Sequence, residues 1–237
     1  MKSVTHQKQK HVWGQEHSKP ETLLQIDSDG ASFGVEHFID WLTNRSVDFN
    51  GFSGLEMCCG KGRNAIWLAR RGMDVTGADF SEVAIAEAER RAASAHVAES
   101  AHFIVHDATL AYDELPERFD FVIDCFGSTD IENAMARKIA ADNLADTLKP
   151  GGYLVTYLLS SDDEYNQAMT KDNKAREPGS FVHPISGKFE KAFTEREVID
   201  LHEDLKLLTL ERIPKVFKDH AGMLYNSSYI WAVFQKP

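Results

Sequence analysis

Residues 55–65 read LEMCCGKGRNA, an apolar strand that runs into a glycine-bearing turn and then into a helix. Glycines let the backbone approach a ligand closely, and the first turn of a helix offers free N–H groups to a carboxylate or phosphate. Asp79 follows at the end of the next predicted strand, where an acidic side chain accepts hydrogen bonds from ribose hydroxyls. The pattern therefore predicts a site for a nucleoside-bearing cofactor.

Strands and helices alternate on both sides of this stretch. The predicted strands cover residues 54–59, 73–79, 102–106, 119–125 and 153–159. The predicted helices cover 33–43, 64–71, a segment that begins at Ser81, and 131–148, which ends at the turn Lys149-Pro150-Gly151-Gly152. Such alternation predicts a mostly parallel sheet with helices on both faces.

The C-terminal part ends differently. Thr194 and Glu197 form a capping-box pattern that predicts the start of a helix. Two strands follow, at 207–213 and 228–234, and the short, mostly loop segment between them predicts an antiparallel pair. The predicted fold is α/β: a Rossmann-like doubly wound sheet of about seven strands, mostly parallel with an antiparallel C-terminal strand, in a single domain over 1–237.

Two polar segments fall outside this alternation. Residues 1–30 form an N-terminal arm, and residues 160–192 form an insertion that is too long for a plain connection. We expect both to cover the carboxyl ends of the strands, where sheets of this kind bind ligands. The candidate substrate or lid residues are Trp13, His17, Tyr165, His183 and Lys188.

Composition limits the partners and the location. The net charge of −11 repels phosphate backbones, so nucleic acid is not an expected partner. No apolar run is long enough to span a membrane, and the polar N-terminus lacks the core of a signal peptide, so a cytoplasmic location is predicted. Adjacent Cys58 and Cys59, with a lone Cys125, have neither the spacing of a disulfide framework nor that of a zinc site, and no metal is expected.

A nicotinamide-dependent oxidoreductase is one enzyme class that the glycine-bearing turn fits. Gly60-x-Gly62-x-x-Ala65 fits the dinucleotide fingerprint, and Asp79 lies at about the right distance from it. Three features disfavour this interpretation: the long segment before the first strand, the acidic Glu56 inside that strand, and the antiparallel ending. Binding of NAD to the protein tests this interpretation.

Five motifs in order resemble those of the class I methyltransferases that depend on S-adenosylmethionine (SAM), the enzyme class with which the oxidoreductase competes. The segment from Glu56 to Gly62 resembles the first motif, acidic-x-Gly-x-Gly-x-Gly, although Cys58 stands where the family usually has its first glycine. We expect Cys58 simply to end the strand, so that the two later glycines make the turn. The other four motifs are Gly77-Ala78-Asp79-Phe80-Ser81, His106-Asp107-Ala108, Phe119-Asp120-Phe121-Val122-Ile123-Asp124 and Leu148-Lys149-Pro150-Gly151-Gly152.

The resemblance implies a role for each motif residue. Glu56 orients the SAM amino group, Gly60 and Gly62 supply backbone room and N–H groups, and Asp79 holds the ribose. Asp107 accepts from the adenine amino group, and Ala108 lies against the adenine ring. Asp124 and Cys125 lie near the methionine part, unless Asp124 only satisfies backbone N–H groups. The remaining predicted cofactor-binding residues are Cys58, Arg63 and Phe80.

The implied activity is methyl transfer to a small-molecule nucleophile. Gly60-Lys61-Gly62-Arg63-Asn64 is similar to the tellurite-resistance and thiol methyltransferases, whose soft anionic acceptors need no general base. In-line displacement at a sulfonium chiefly requires alignment and exclusion of water. A non-catalytic module that senses SAM remains an alternative. The sequence predicts no catalytic residue, no methyl acceptor and no oligomeric state.

Overall fold

The computed structural model describes residues 7–18, 30–115, 118–219 and 222–237. The helices are α1 (Gln7–Ser18), α2 (Phe33–Thr43), α3 (Arg63–Ala69), α4 (Glu82–Ser94), α5 (Gly127–Asp130), α6 (Ala134–Asp146), α7 (Glu164–Asp172) and α8 (Glu195–Leu201). The strands are β1 (Ser53–Met57), β2 (Asp74–Asp79), β3 (Ala101–Val105), β4 (Phe119–Cys125), β5 (Leu148–Leu159), β6 (Ser180–Val182), β7 (Phe189–Lys191), β8 (Lys206–Lys218) and β9 (Leu224–Gln235). Within these ranges, no helix combines the length and the apolar character needed to cross a membrane.

Seven strands form one sheet in the order β3-β2-β1-β4-β5-β9-β8. The five strands from β3 to β5 are mutually parallel, whereas β9 runs antiparallel to both of its neighbours. This confirms the predicted α/β sheet with an antiparallel C-terminal strand. The carboxyl ends of β1 and β4 lie side by side at the point where the strand order reverses, which is the usual ligand position in an open α/β sheet.

Helices cover both faces of the sheet, as predicted. On one face α2 buries Val35, Phe38 and Leu42 against the central strands. The indole N–H of Trp231 in β9 donates to the carbonyl of Gly34 at 2.8 Å and fixes the start of this helix. On the other face the alanine-rich side of α6 packs against the sheet. The small alanine side chains let the α6 backbone approach the strands closely.

The predicted helix over 131–148 is wrong at both ends. The chain forms the short helix α5 first, and α6 begins only after Asn133, whose side-chain oxygen accepts from the N–H groups of Met135 and Ala136 at 2.9 and 3.1 Å. Asn133 therefore acts as an N-cap, which excludes it from the helix interior. Leu148 already pairs with Phe119 in the sheet, so α6 ends at Asp146.

The insertion at 160–192 is more ordered than a polar loop. Asp163 caps α7 by accepting from the N–H of Asn166 at 2.8 Å, and β6 and β7 form a small antiparallel hairpin. Strands of three residues are too short to give a period in the sequence, which explains why the pattern predicted a loop. The capping box of Thr194 and Glu197 is confirmed at the start of α8.

The two C-terminal strands are longer than predicted. Antiparallel pairing continues from Lys206 to Lys218 in β8 and from Leu224 to Gln235 in β9, so the connection is short. Pro214 lies inside this pairing, opposite Ser228. Proline is tolerated there because β8 is the edge strand of the sheet.

Candidate functional site

A cavity of about 240 Å³ lies at the carboxyl ends of the parallel strands, with α1 forming part of its wall. Most of the predicted site residues line it. These are Trp13, His17, Glu56, Cys58, Gly60, Arg63, Asp79, Phe80, Asp107, Ala108 and Cys125. Five predicted residues are not in its lining: Gly62, Asp124, Tyr165, His183 and Lys188.

The turn after β1 has a left-handed backbone at three alternating positions. Cys58, Gly60 and Gly62 have φ angles of +54°, +53° and +74°. The expectation that Cys58 simply ends the strand is therefore wrong: it adopts the conformation that a glycine would adopt without strain. At Gly62 even a methyl group is excluded, since an added Cβ would lie 2.6 Å from the Phe103 ring.

We expect substitutions at Cys58 to rank by their tolerance of a positive φ. Cys58→Gly relieves the strain, whereas Cys58→Val places a β-branched side chain in a region that such residues avoid. The valine variant should be less stable than the glycine variant by roughly 2 kcal/mol, because left-handed backbone costs about 1–2 kcal/mol without glycine. Urea denaturation of both variants measures the difference. Equal stability would show that Cys58 carries no backbone strain.

Glu56 is a buried carboxyl with one oxygen still available. Oε1 accepts from Nδ2 of Asn64 at 2.6 Å, whereas Oε2 is buried with no hydrogen-bond partner among the described residues. Burial raises the pKa of Glu56 to about 7, and the nearby charge of Arg63 opposes that rise. A buried carboxylate without a second partner is costly, so a cationic ligand group in the cavity would stabilise it.

Arg63 provides the complementary charge. It begins α3 and lines the cavity, and its Nε is buried with no acceptor within the described part of the chain. Glu56 and Arg63 together match the ammonium and carboxylate groups of an amino acid. The two groups are charged in opposite senses and belong to the same cavity wall, so the residues present fit such a ligand.

Asn64 connects this pair to the rest of the fold. Its Nδ2 donates to Glu56, and its Oδ1 accepts from the backbone N–H of Ser32 at 2.7 Å. The Oγ of Ser32 accepts from the thiol of Cys125 at 3.1 Å. Sequence reasoning missed Ser32 and Asn64 in this role, because their partners are distant in the sequence.

Asp79 ends β2 and supports the glycine turn. Its Oδ2 accepts from the N–H of Gly60 and its Oδ1 from the N–H of Ser81, both at 2.9 Å. Burial raises the pKa of Asp79, and these two hydrogen bonds oppose the rise. Each carboxylate oxygen keeps a second lone pair, so the side chain remains able to accept from ligand hydroxyls in the cavity.

Asp107 lies after β3 and contacts the N-terminal helix. Its Oδ1 accepts from the N–H and the hydroxyl of Thr109, and its Oδ2 forms an ion pair of 2.8 Å with Lys10 of α1. The Lys10 ammonium also lies 5.7 Å from the centre of the Phe80 ring. Ala108 and Phe80 supply apolar surface to this part of the cavity. The sequence did not predict the contact with Lys10.

Asp124 and Cys125 end β4 in different environments. Asp124 is fully buried: its Oδ1 accepts from the N–H of Ser128 at 2.9 Å, whereas its Oδ2 is buried with no hydrogen-bond partner among the described residues. Burial raises the pKa of Asp124 to about 6 and that of Cys125 to about 12. Cys125 lines the cavity as a protonated thiol, so it is not a thiolate nucleophile at neutral pH.

Helix α1 brings Trp13 and His17 to the cavity. Their rings lie 5.7 Å apart, and His17 approaches the glycine turn at Gly60. Burial lowers the pKa of His17 to about 4, helped by the positive charges of Lys61 and Lys188, so the imidazole is neutral at pH 7. Its Nδ1 is buried and lacks a hydrogen-bond partner in the described ranges.

The insertion contacts helix α1, which forms part of the cavity wall. The backbone N–H of Phe189 donates to Oε1 of Gln9, and Lys188 pairs with Glu16 at 3.4 Å. The Lys188 ammonium also lies 4.9 Å from the Trp13 ring. Tyr165 and His183 hydrogen-bond to each other at 3.3 Å outside the cavity lining.

Several lining residues had not been predicted. Gln9 belongs to a polar helix without an apolar stripe. Asp130 ends α5, which is too short to recognise in the sequence, and Phe126 is the N-cap of that helix. Among the described residues, no three histidine, cysteine, aspartate or glutamate side chains are placed to hold a metal ion.

Comparison with known sequences identifies a methyltransferase domain in the centre of the chain. The matching family is described as "Methyltransferase domain", and the match covers residues 55–152. The Escherichia coli protein YjhP, described as uncharacterised, is 38% identical over 111 residues. That alignment covers 47% of this chain and only 40% of YjhP.

Solved methyltransferase structures share the fold. A SAM-dependent methyltransferase from Methanosarcina mazei superposes with a TM-score of 0.67 at 23% identity, covering 79% of this chain and 93% of that one. The N-methyltransferase NodS from Bradyrhizobium japonicum, solved with S-adenosylhomocysteine (SAH), has a TM-score of 0.63 at 18% identity, covering 97% and 98%. Both similarities concern the fold.

Proposed function

We infer that this chain, whose residues 55–152 form a methyltransferase domain and whose fold is that of the class I SAM-dependent methyltransferases, transfers a methyl group from SAM to a small-molecule nucleophile. The proposal treats residues 1–237 as one cytoplasmic domain that does not bind nucleic acid, in keeping with the net charge of −11. SAM supplies an activated methyl group on a sulfonium. The residues of this chain bind it, align it and exclude water.

One observation carries the proposal: Glu56 and Arg63 have complementary charges, and each has a buried atom without a hydrogen-bond partner in the described part of the chain. A buried carboxyl oxygen and a buried guanidinium nitrogen, each without a partner among the described residues, line one cavity. The amino-acid part of SAM offers an ammonium to the first and a carboxylate to the second. Asp79 at the end of β2 then lies in the same cavity for the ribose, and Asp107, which also pairs with Lys10, lies there with Ala108 for the adenine.

The sheet order weighs against the nicotinamide alternative. A dinucleotide-binding sheet continues with parallel strands beyond the fifth, in the order 3-2-1-4-5-6. Here β9 is inserted antiparallel between β5 and β8. A nicotinamide ring also has no ammonium group with which to satisfy Glu56.

The test is a calorimetric titration of the purified protein with SAH and, separately, with NAD. We expect micromolar binding of SAH and none of NAD. Production of SAH from SAM in the presence of an acceptor then separates a methyltransferase from a module that only senses SAM. Binding of NAD without SAH would reverse the assignment of the cofactor.

The contacts of α1 support the proposal that it acts as a lid with the insertion. Gln9 is almost fully buried and joins the two, since its Nε2 donates to the carbonyl of Gly187 and its Oε1 accepts from the N–H of Phe189. The Lys10–Asp107 ion pair fastens the same helix to the cavity wall.

Deleting residues 1–25 should therefore weaken SAH binding at least about tenfold, because the cavity loses one wall and opens to water. Gln9→Ala should weaken it severalfold, whereas His11→Ala, on the exposed side of the same helix, should leave it unchanged. Calorimetry on the three variants measures the effect. An unchanged affinity of the deletion variant would exclude the lid.

A further inference from the structure

The part of the cavity beyond β4 contains a carboxyl group, that of Asp130. After Cys125 the chain turns at Phe126, which has a left-handed φ of 65°, into α5. Phe126 and Asp130 of this turn line the cavity, together with Trp13 of α1. We refer to these three side chains as the acceptor wall. If SAM occupies the residues assigned to it above, they remain for the methyl acceptor.

Asp130 lacks a counter-charge of its own. Asp130 is partly buried and lines the cavity, and its carboxyl makes no hydrogen bond or ion pair with any other residue in the described ranges. Burial raises its pKa well above the usual range, Glu190 raises it further, and Lys188 opposes the rise. The hairpin strand β7, which carries Glu190, packs against α5. Two carboxyl groups thus share the influence of one lysine, which is itself paired with Glu16.

The two aromatic rings of the acceptor wall, like the Asp130 carboxyl, favour a positively charged ligand. Indole and phenyl faces attract cations, and the attraction strengthens where water is excluded. The chain already uses Trp13 in this way, since the Lys188 ammonium lies 4.9 Å from its ring centre. A carboxyl group that shares a cavity with two aromatic rings is a setting in which an ammonium favours the ionised carboxylate and an anion opposes it.

We propose that the methyl acceptor is an amine, and that Asp130 binds its nitrogen and takes up its proton. This deepens the proposed function and rests on it. The ammonium gives one proton to the Asp130 carboxylate, and the freed nitrogen lone pair attacks the methyl carbon of SAM. The N–C bond forms as the C–S bond breaks, the electron pair of that bond stays on sulfur, and neutral SAH leaves. The proton on Asp130 then passes to solvent.

The proposal differs from the expectation of a soft anionic acceptor. A thiolate or a chalcogen oxyanion would have to lie beside Asp130 and would oppose its ionisation, as Glu190 already does, whereas an ammonium would favour it. The glycine-turn motif that suggested such acceptors, residues 60–64, belongs to the cofactor part of the cavity. It carries no information about the acceptor wall.

The experiment measures ligand selection at equilibrium on the SAH-loaded protein. The probes are benzylamine, benzyl thiol and phenylacetate, which have similar aromatic skeletons and differ in the charged or reactive group. We expect benzylamine to bind at least about tenfold more tightly than phenylacetate, an effect of the size that one desolvated charge contact produces. The isosteric variant Asp130→Asn should remove that preference while keeping its affinity for SAH.

Asp142→Asn is the matched control, since Asp142 is a half-exposed aspartate of α6 paired with Lys138, away from the cavity. It should behave as the wild type. The proposal would be overturned by equal or absent binding of the probes, by a preference for the thiol or the acid, or by an amine preference that survives in Asp130→Asn. A selective loss of SAM relative to SAH in Asp130→Asn, without loss of amine binding, would assign the carboxylate to the sulfonium instead and also overturn it. Failure of the wild type to bind SAH would refute the proposed function itself.

Discussion

Asp79→Ala should lower the affinity for SAH by at least about a hundredfold, because hydrogen bonds to a charged group contribute about 1.5–3 kcal/mol each and two ribose hydroxyls lose their acceptor. The same substitution releases the N–H of Gly60, which Asp79 holds at 2.9 Å, so the glycine turn also loses support. Both effects weaken binding. Calorimetric titration with SAH measures the loss, and circular dichroism checks that the variant is folded.

Asp74→Ala is the matched control for this experiment. Asp74 begins the same strand β2, but its side chain is 61% exposed and pairs with the exposed His102. Its removal should leave the affinity for SAH unchanged. Asp79→Asn keeps the size of the side chain without the charge, and we expect an intermediate loss. A folded Asp79→Ala variant that binds within about threefold of the wild type would contradict the ribose role, since that ratio is less than 1 kcal/mol.

Features fixed by short-range rules were predicted well from the sequence. The helix at 33–43, the cap at Ser81 and the capping box of Thr194 and Glu197 are confirmed because each depends on residues within one or two turns. The strand–glycine–helix stretch placed the cavity correctly for a related reason: the carboxyl ends of parallel strands meet at one edge of the sheet.

Features that depend on distant partners could not be predicted. The left-handed Cys58 is imposed by the fold around the turn, since cysteine itself does not favour that conformation. Helix α1 has only Val12 and Trp13 as large apolar residues, so no stripe indicates that it lies on the cavity. Its position is fixed instead by polar contacts across the sequence, such as Lys10 with Asp107.

The affinity for SAH should fall as the pH is lowered below about 7, and Glu56 is the cause. Its pKa of about 7 means that the free protein binds a proton there, whereas the ligand ammonium requires the carboxylate. Binding below pH 7 must therefore release that proton, and the affinity should drop by up to about tenfold per pH unit. Above pH 8 the affinity should level off. Calorimetry in buffers of different ionisation enthalpy measures the proton release directly.

Glu56→Gln should remove this pH dependence and bind SAH roughly ten- to a hundredfold more weakly at pH 8, the loss of one charge-assisted hydrogen bond. Asp124, with a pKa of about 6, is present in both proteins, so the difference between them isolates Glu56. The raised pKa also means that ionisation of Glu56 destabilises the free protein as the pH rises through 7. The glutamine variant without ligand should therefore unfold at a higher urea concentration than the wild type at pH 8, by about 1–3 kcal/mol. Glu89→Gln, on the exposed face of α4, should change neither property. A Glu56→Gln variant that binds SAH as the wild type does at pH 8 would show that this carboxylate does not hold the ligand ammonium.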